Sequence, residues 1–117
     1  MNTTSTPTPV KSGYAAVNGL NMYYEIHGEG QPLVLLHGAF SAIGTSFAAL
    51  LPELARGRQV IAFELQAHGR TADIDRPLSL EAMADDTAAA LQQLGVKQAD
   101  IFGYSMGAAV ALRLAIR

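Results

Sequence analysis

Three short apolar runs constrain the fold of this chain more than any other feature of its sequence. The runs at 33–36, 60–63 and 101–102 contain no polar residue. Strands that helices cover on both faces lose the usual alternation of polar and apolar residues, as in parallel sheets. Stretches with helical apolar spacing separate the three runs. This order of strands and helices predicts an α/β domain with right-handed crossovers.

A hairpin is predicted before the first apolar run. Residues 14–17 and 22–27 are rich in β-forming side chains, and Asn18-Gly19 lies between them. An Asn-Gly pair between two such segments is a strong signal for a tight antiparallel turn. The expected fold is therefore a mostly parallel sheet with an N-terminal antiparallel hairpin and helices on both faces.

Three helical stretches are expected between and after the apolar runs. Apolar residues recur at helical spacing over 47–54 and predict one buried helix face there. A second helix is expected between Ser79 as N-cap and Gly95 as C-terminal stop. From residue 106 onward the sequence is apolar all round, which predicts a buried helix.

Composition excludes several classes of partner and cofactor. The net charge is −2 and there is no basic stripe, so neither nucleic acid nor a membrane surface is an expected partner. The chain has no cysteine, and its three histidines lack a spaced acidic cluster, so no metal site is expected. The glycine-rich loop at 28–32 lacks a phosphate-binding pattern, and no cofactor is predicted.

The N-terminal segment predicts a tail and the rest a single domain. Residues 1–12 are polar and contain prolines without the basic and apolar regions of a signal peptide. We expect residues 1–12 to be a disordered tail and residues 13–117 to form the domain. Since no apolar run reaches transmembrane length, a soluble cytoplasmic protein is expected, with its oligomeric state left open.

Residues 103–107, with the sequence GYSMG, are the clearest indication of catalytic chemistry in the sequence. They match the nucleophile-elbow pattern G-x-S-x-G, and they lie between an apolar run and a helical stretch, as that motif requires. Ser105 is the expected nucleophile, and Gly103 and Gly107 permit the backbone crowding around it. The N–H group of Met106, the residue after the nucleophile, is expected to stabilise an oxyanion.

A second motif follows the first apolar run. His37-Gly38 comes directly after that run, at the predicted carboxyl end of a buried strand. A serine acyl-transfer site needs a second N–H donor from such a loop, and Ala39 is the expected one. His37 and Gly38 alone would indicate only a turn, but together with the elbow they support an acyl-transfer site.

The segment 64–71, with the sequence ELQAHGRT, completes a set of motifs. Over residues 14–117 the chain resembles the N-terminal half of an α/β-hydrolase of the esterase, haloperoxidase-like and C–C hydrolase group. Glu64 stands where that family usually has Asp, and Ala67 replaces a glycine. The resemblance implies structural roles for His37 and for His68, which is expected to fix the loop that contains it by hydrogen bonds.

The resemblance also implies that the catalytic acid and histidine follow the serine, in that order. Residues 106–117 contain no Asp, Glu or His. His27 is expected to be a solvent-exposed residue at the hairpin end, and Asp85-Asp86 a solvated charged pair. We therefore expect a truncated α/β-hydrolase core, a fragment that is inactive by itself because it lacks the catalytic histidine and acid.

Two function hypotheses from different classes follow. The first is a serine hydrolase whose parent protein cleaves a small-molecule ester, lactone or related carbonyl through an acyl-enzyme at Ser105. C–C bond hydrolysis and peracid formation stay open within it, because family members that perform them share this serine. The second is a non-catalytic fragment or interaction module that retains the hydrolase fold.

Overall fold

Five strands form one mixed sheet, with helices on both of its faces, in a computed structural model that describes residues 9–116. The order of the strands in the sheet is β1-β2-β4-β3-β5. The elements are β1 (Lys11–Val17), β2 (Leu20–His27), β3 (Gln31–Leu36), α1 (Ile43–Phe47), α2 (Leu51–Leu54), β4 (Arg58–Phe63), α3 (Leu80–Gln93), β5 (Asp100–Gly103) and α4 (Met106–Ile116).

Strand pairing confirms the predicted hairpin and the parallel core. β3 pairs in parallel with both β4 and β5, whereas β1 pairs antiparallel with β2. β2 also pairs antiparallel with β4, which makes the sheet mixed. At the hairpin turn Asn18 has φ 51° and Gly19 has φ 81°. A tight two-residue turn of type I′ requires both of these positive values.

Helices on both faces explain why the strands are apolar throughout. Val34 and Leu36 of β3 pack in a core with Met83 of α3 and Val110 of α4. Leu35, on the opposite face of the same strand, packs in a second core with helices α1 and α2. Because successive side chains of a strand point to opposite faces, every residue of such a strand must be apolar.

The single helix predicted over 47–54 is wrong. The segment contains the last residue of α1 and all of α2, and Leu50 between these two short helices is 46% exposed. Pro52 lies in the first turn of α2. Because proline lacks an N–H group and suits a helix start, it begins a new helix here instead of continuing the preceding one.

The boundaries predicted for α3 are confirmed. The Ser79 hydroxyl accepts a hydrogen bond from the N–H of Ala82 at 3.0 Å, as an N-cap residue does. Gly95, just beyond the helix, has φ 77°, which is the left-handed conformation of a helix stop.

Helix α4 is not buried all round, contrary to the prediction. Val110 is fully buried, but Leu112 is 62% exposed. The cause is the position of the elements: α4 packs on β5, and β5 is the last strand of the sheet as described. Phe102 of that edge strand is 46% exposed for the same reason.

The predicted N-terminal tail is too long. Residues 1–8 of it lie outside the described residues, but Lys11 and Ser12 belong to β1, where they pair with Ile26 and Glu25 of β2. Because its backbone pairs with β2, β1 begins at Lys11, before the β-forming side chains that start at Tyr14. Within residues 9–116, no helix combines the length and the apolar character that crossing a bilayer requires.

Candidate active site

Ser105 occupies the turn between β5 and α4. β5 ends at Gly103 and α4 begins at Met106, so only two residues separate the strand from the helix. Ser105 is exposed and has φ 57°, in the left-handed region that residues other than glycine rarely adopt. The sharp turn therefore places the serine in strained backbone and in contact with solvent, where strain of about 1–3 kcal/mol is typical of functional positions.

The two glycines of the motif are required by a close backbone crossing. A Cβ atom on Gly107 would lie 2.1 Å from the carbonyl oxygen of Leu36, at the end of β3. A Cβ atom on Gly103 would lie 2.3 Å from the carbonyl oxygen of Gly107. Only a hydrogen atom fits at either position, because carbon and oxygen do not approach so closely without a bond.

The sheet brings the second motif to the elbow. Leu36 pairs with Gly103, and the N–H of Tyr104 donates to the Leu36 carbonyl oxygen at 3.0 Å. The turn that contains Gly38 and Ala39 therefore begins beside the strand end that carries Ser105. This contact is close: a Cβ atom on Gly38 would lie 3.0 Å from the ring of Tyr104.

Ala39 and Met106, the two expected oxyanion donors, lie on the wall of one cavity of about 220 Å³. Met106 is the first residue of α4, so its N–H group has no intrahelical acceptor. Ala39 is exposed in the loop that follows β3. The two residues belong to different elements and line the same space, and Met106 lies at the positive end of the α4 dipole.

His37 connects the turns that follow β3 and β4. Its Nδ1–H donates to the carbonyl oxygen of Gly38 at 2.8 Å, and its Nε2 accepts the N–H of Leu65 at 2.9 Å. The ring is fully buried, and this burial lowers the pKa of His37 below its ordinary value of 6.5. The imidazole is therefore neutral, with the proton on Nδ1, and it holds the two turns together.

A pH-dependent loss of stability is expected from His37. Its pKa is lower in the folded state than the 6.5 of the unfolded chain, so below that pH the unfolded chain binds more protons. The contribution of His37 is complete above about pH 6.5 and is lost as pH falls through the folded pKa, by at most about 1.4 kcal/mol per pH unit. Urea unfolding measured from pH 8 to 5 should show that the difference in free energy of unfolding between wild type and His37→Gln becomes smaller as pH falls. A difference that stays constant over this range would contradict this assignment.

His68 lies beside the same cavity. Its Nδ1–H donates to the carbonyl oxygen of Gln66 at 2.8 Å, which fixes its own loop. The ring centroid lies 4.9 Å from that of His37 and 6.5 Å from that of Phe40, and the residue lines the 220 Å³ cavity. His68 thus connects the loop after β4 to the residues around Ala39.

Glu64 couples two loops of the site, a role that the sequence did not reveal. Its carboxylate is 2% exposed and accepts the N–H of Ile43, the first residue of α1, at 3.1 Å. The same carboxylate accepts the N–H of Arg70 at 2.7 Å. The sequence signal for this role was the position of Glu64, a charged residue directly after the buried strand β4. Glutamate carries one methylene more than the aspartate usual there, which allows it to reach both segments.

Ala67 adopts the conformation that explains the glycine usual at this position. Its φ is 66°, in the left-handed region. A left-handed residue with a Cβ atom costs about 1–2 kcal/mol relative to one without. We expect Ala67→Gly to raise the free energy of unfolding by about 1 kcal/mol, measured by urea denaturation. Ala16→Gly, an exposed alanine in β1, is the matched control and should destabilise. A loss of stability in both variants would contradict the strain argument.

Two residues that were expected to be solvent-exposed are buried, His27 and, of the pair Asp85-Asp86, Asp86, and for these two residues the prediction is wrong. His27 is 3% exposed, and its Nε2 lies 2.9 Å from the carboxylate of Glu25. The same carboxylate accepts the hydroxyl of Tyr23 at 2.8 Å; burial, with this bond, raises the pKa of Tyr23 to about 12. Asp86 is 1% exposed and lies 2.7 Å from the guanidinium of Arg76.

The described histidines all have structural partners. His27 faces Glu25, while His37 and His68 donate to backbone carbonyl groups. Within residues 9–116, none of the three is hydrogen-bonded to the hydroxyl of Ser105. The same part of the chain contains no group of three His, Cys, Asp or Glu side chains placed to hold a metal ion.

Residues 31–117 match the family model that is described as the alpha/beta hydrolase fold. The chain is 38% identical over 111 residues to the dihydrolipoyllysine-residue acetyltransferase component of the acetoin cleaving system of Pseudomonas putida, covering 93% of this chain and 29% of that protein. It is 33% identical over 93 residues to 2-hydroxymuconate semialdehyde hydrolase of Pseudomonas sp. strain CF600, covering 77% of this chain and 33% of that one.

A solved structure shows the same arrangement of elements. The enol-lactonase of Burkholderia xenovorans LB400 superposes with a TM-score of 0.84 at 27% identity, over 89% of this chain and 41% of that chain. The chain thus spans between 29% and 41% of the length of these three proteins.

Proposed function

We propose that Ser105 of this chain, which belongs to the alpha/beta hydrolase fold family, is the nucleophile of a serine hydrolase. The family predicted from the sequence motifs is confirmed by the match over residues 31–117 and by relatives that are named as hydrolases. The observation that carries the proposal is the backbone of Ser105, a non-glycine residue with φ 57° in a two-residue strand-to-helix turn. Strained, exposed non-glycine backbone in a two-residue strand-to-helix turn is the geometry by which a nucleophile elbow presents its serine.

The proposed reaction proceeds through an acyl-enzyme. The Ser105 Oγ attacks the carbonyl carbon of an ester, lactone or related substrate while a general base takes its proton. The N–H groups of Ala39 and Met106 stabilise the negative oxygen of the tetrahedral intermediate, a contribution of about 3–4 kcal/mol for such a donor in other hydrolases. Collapse of the intermediate breaks the bond to the leaving alcohol, which takes up the proton. Water then attacks the acyl-serine, the bond to Ser105 Oγ breaks, and the carboxylic acid is released as the hydroxyl is regenerated.

The general base is not among the described residues that contact Ser105. His37 is locked as a buried neutral ring between two backbone groups, and His27 is paired with Glu25. We therefore expect residues 1–117 by themselves to show no esterase turnover above background. We propose that residues 1–117 are part of a full-length hydrolase, called the intact protein below, in which other residues supply the base and its acid partner. A small-molecule substrate and a cytoplasmic location are part of this proposal.

The experiment that tests the proposal is hydrolysis of p-nitrophenyl acetate by the intact protein, before and after treatment with a fluorophosphonate. Such reagents phosphonylate an activated serine and block it. We expect time-dependent and complete loss of turnover as one equivalent is incorporated per chain. Turnover that survives full incorporation would refute Ser105 as the nucleophile, whereas an intact protein without turnover would favour a non-catalytic interaction module.

A further inference from the structure

The cavity beside the proposed oxyanion donors has a wall that is apolar on nearly every side. Its volume is about 220 Å³, and it is lined by the apolar side chains of Ala39, Phe40, Leu78, Leu80, Met83 and Met106. Two polar residues complete the wall, Ser79 and His68. We infer that this cavity is an acyl pocket for one uncharged, apolar limb of the substrate, with Leu80 and Met83 as specificity-determining residues. The inference rests on the proposed function of Ser105.

Both polar residues of the wall are already hydrogen-bonded to backbone groups. The hydroxyl of Ser79 accepts the N–H of Ala82 as the N-cap of α3. His68 donates its Nδ1–H to the carbonyl oxygen of Gln66. No Lys or Arg side chain belongs to the lining. A carboxylate in the cavity would lose hydration without gaining a Lys or Arg partner, which disfavours binding.

The volume limits the ligand to one limb. Sites for whole ligands usually measure about 300–1,000 Å³, while an apolar cavity of about 150 Å³ accepts a benzene ring. A space of about 220 Å³ therefore suits an acyl chain of about six carbons or a single ring. The acyl side is the appropriate one, because the acyl group stays on the serine through both half-reactions whereas the leaving group must depart to solvent.

Two residues at the start of α3 set the dimensions of the pocket. Met83 is 3% exposed and packs in the core between α3 and the sheet. Leu80 is partly buried, one helical turn before it. Phe40 and Leu78, which are 101% and 54% exposed, leave two large apolar side chains in solvent that an apolar limb would cover.

The test uses the methionine methyl groups of the intact protein as reporters. With ¹³C-methyl methionine labelling, hexanamide should shift the signals of Met83 and Met106 in a saturable manner. Met22 is fully buried in β2, does not line the cavity and should not respond. Adipamate, a ligand of similar length with a terminal carboxylate, should bind at least about 100-fold more weakly. Equal binding of the two amides, or no shift at Met83 and Met106, would overturn the inference.

A variant checks the dimensions of the pocket. Leu80→Trp should reduce hexanamide affinity at least about ten-fold, because the indole fills the space that the alkyl chain needs. Met22→Leu, which conserves volume at a methionine outside the cavity, should leave the hexanamide response of Met83 and Met106 intact. Unchanged hexanamide affinity in a folded Leu80→Trp protein would contradict the assignment; should that variant not fold, the comparison of the two amides still decides.

The outcomes separate this inference from the proposed function, because ligand binding is measured without turnover. Hexanamide binding at Met83 and Met106, together with hydrolysis that does not depend on Ser105, would remove the nucleophile but leave the apolar pocket. Hydrolysis that depends on Ser105 without this binding would leave the nucleophile and remove the acyl pocket. On p-nitrophenyl esters, kcat/KM should rise about four-fold per methylene, up to about six carbons.

Discussion

Ser105→Ala is expected to abolish hydrolysis of p-nitrophenyl acetate by the intact protein, lowering kcat by at least about 10⁴-fold. Without the hydroxyl no acyl-enzyme forms, and only stabilisation of a direct water attack by the Ala39 and Met106 N–H groups is left. Because the side chain is exposed, its removal opens no cavity. Circular dichroism and the urea midpoint should therefore stay close to those of the wild type.

Ser12→Ala is the matched control for this loss. Ser12 is an exposed serine in β1, outside the residues that line the cavity, so the same chemical change there should leave kcat within about two-fold. Turnover of the Ser105→Ala protein at the wild-type rate would refute the nucleophile. Equal losses in both variants would point to a general effect on folding.

Gly107→Ala is expected to destabilise the protein by more than about 4 kcal/mol, or to prevent folding. The new Cβ would lie 2.1 Å from the carbonyl oxygen of Leu36, and 2.7 Å from that of His37. Neither atom is the end of a flexible side chain. α4 would have to move away from β3, and Val110 of α4 would lose its packing in the core. Losses of this size arise only from a few mechanisms, of which overpacking is one.

Urea denaturation measures this effect, with Gly57→Ala as the matched control. A Cβ atom on Gly57 would meet nothing within 4 Å, and no positive φ restricts that residue. Its replacement should change the free energy of unfolding by less than about 1 kcal/mol. A Gly107→Ala protein with the same urea midpoint as Gly57→Ala would show that α4 and β3 are not in the close contact described.

The elements of the fold were largely predictable because their signals are local. The uninterrupted apolar runs at 33–36 and 60–63 indicated strands covered on both faces, and Asn18-Gly19 indicated the hairpin turn. The break between α1 and α2 was missed because apolar spacing over 47–54 continues across it, although Pro52 marked a helix start. The exposure of α4 is not evident from its uniformly apolar sequence, since it depends on the position of β5 at the edge of the sheet.

The site was predictable as a set of motifs, but its supporting contacts were not. The elbow, His37-Gly38 and the loop that follows β4 were each recognised, and the structure brings them to one edge of the sheet. The role of Glu64 depends on Ile43, which lies 21 residues away. The carboxylate of Asp86 is paired with Arg76, 10 residues away, and accepts a hydrogen bond from the amide of Asn18, 68 residues away. The burial of His27 was also missed, although its partner Glu25 lies only two residues away in the same strand, β2.

Mass spectrometry of the phosphonylated protein identifies directly which residue is the activated nucleophile. The intact protein is treated with one equivalent of a fluorophosphonate, digested, and the modified peptide is located by mass spectrometry. We expect a single phosphonylated residue, Ser105, in the peptide that contains the sequence GYSMG. Activity that is lost while the phosphonyl group is found on any other residue would contradict it.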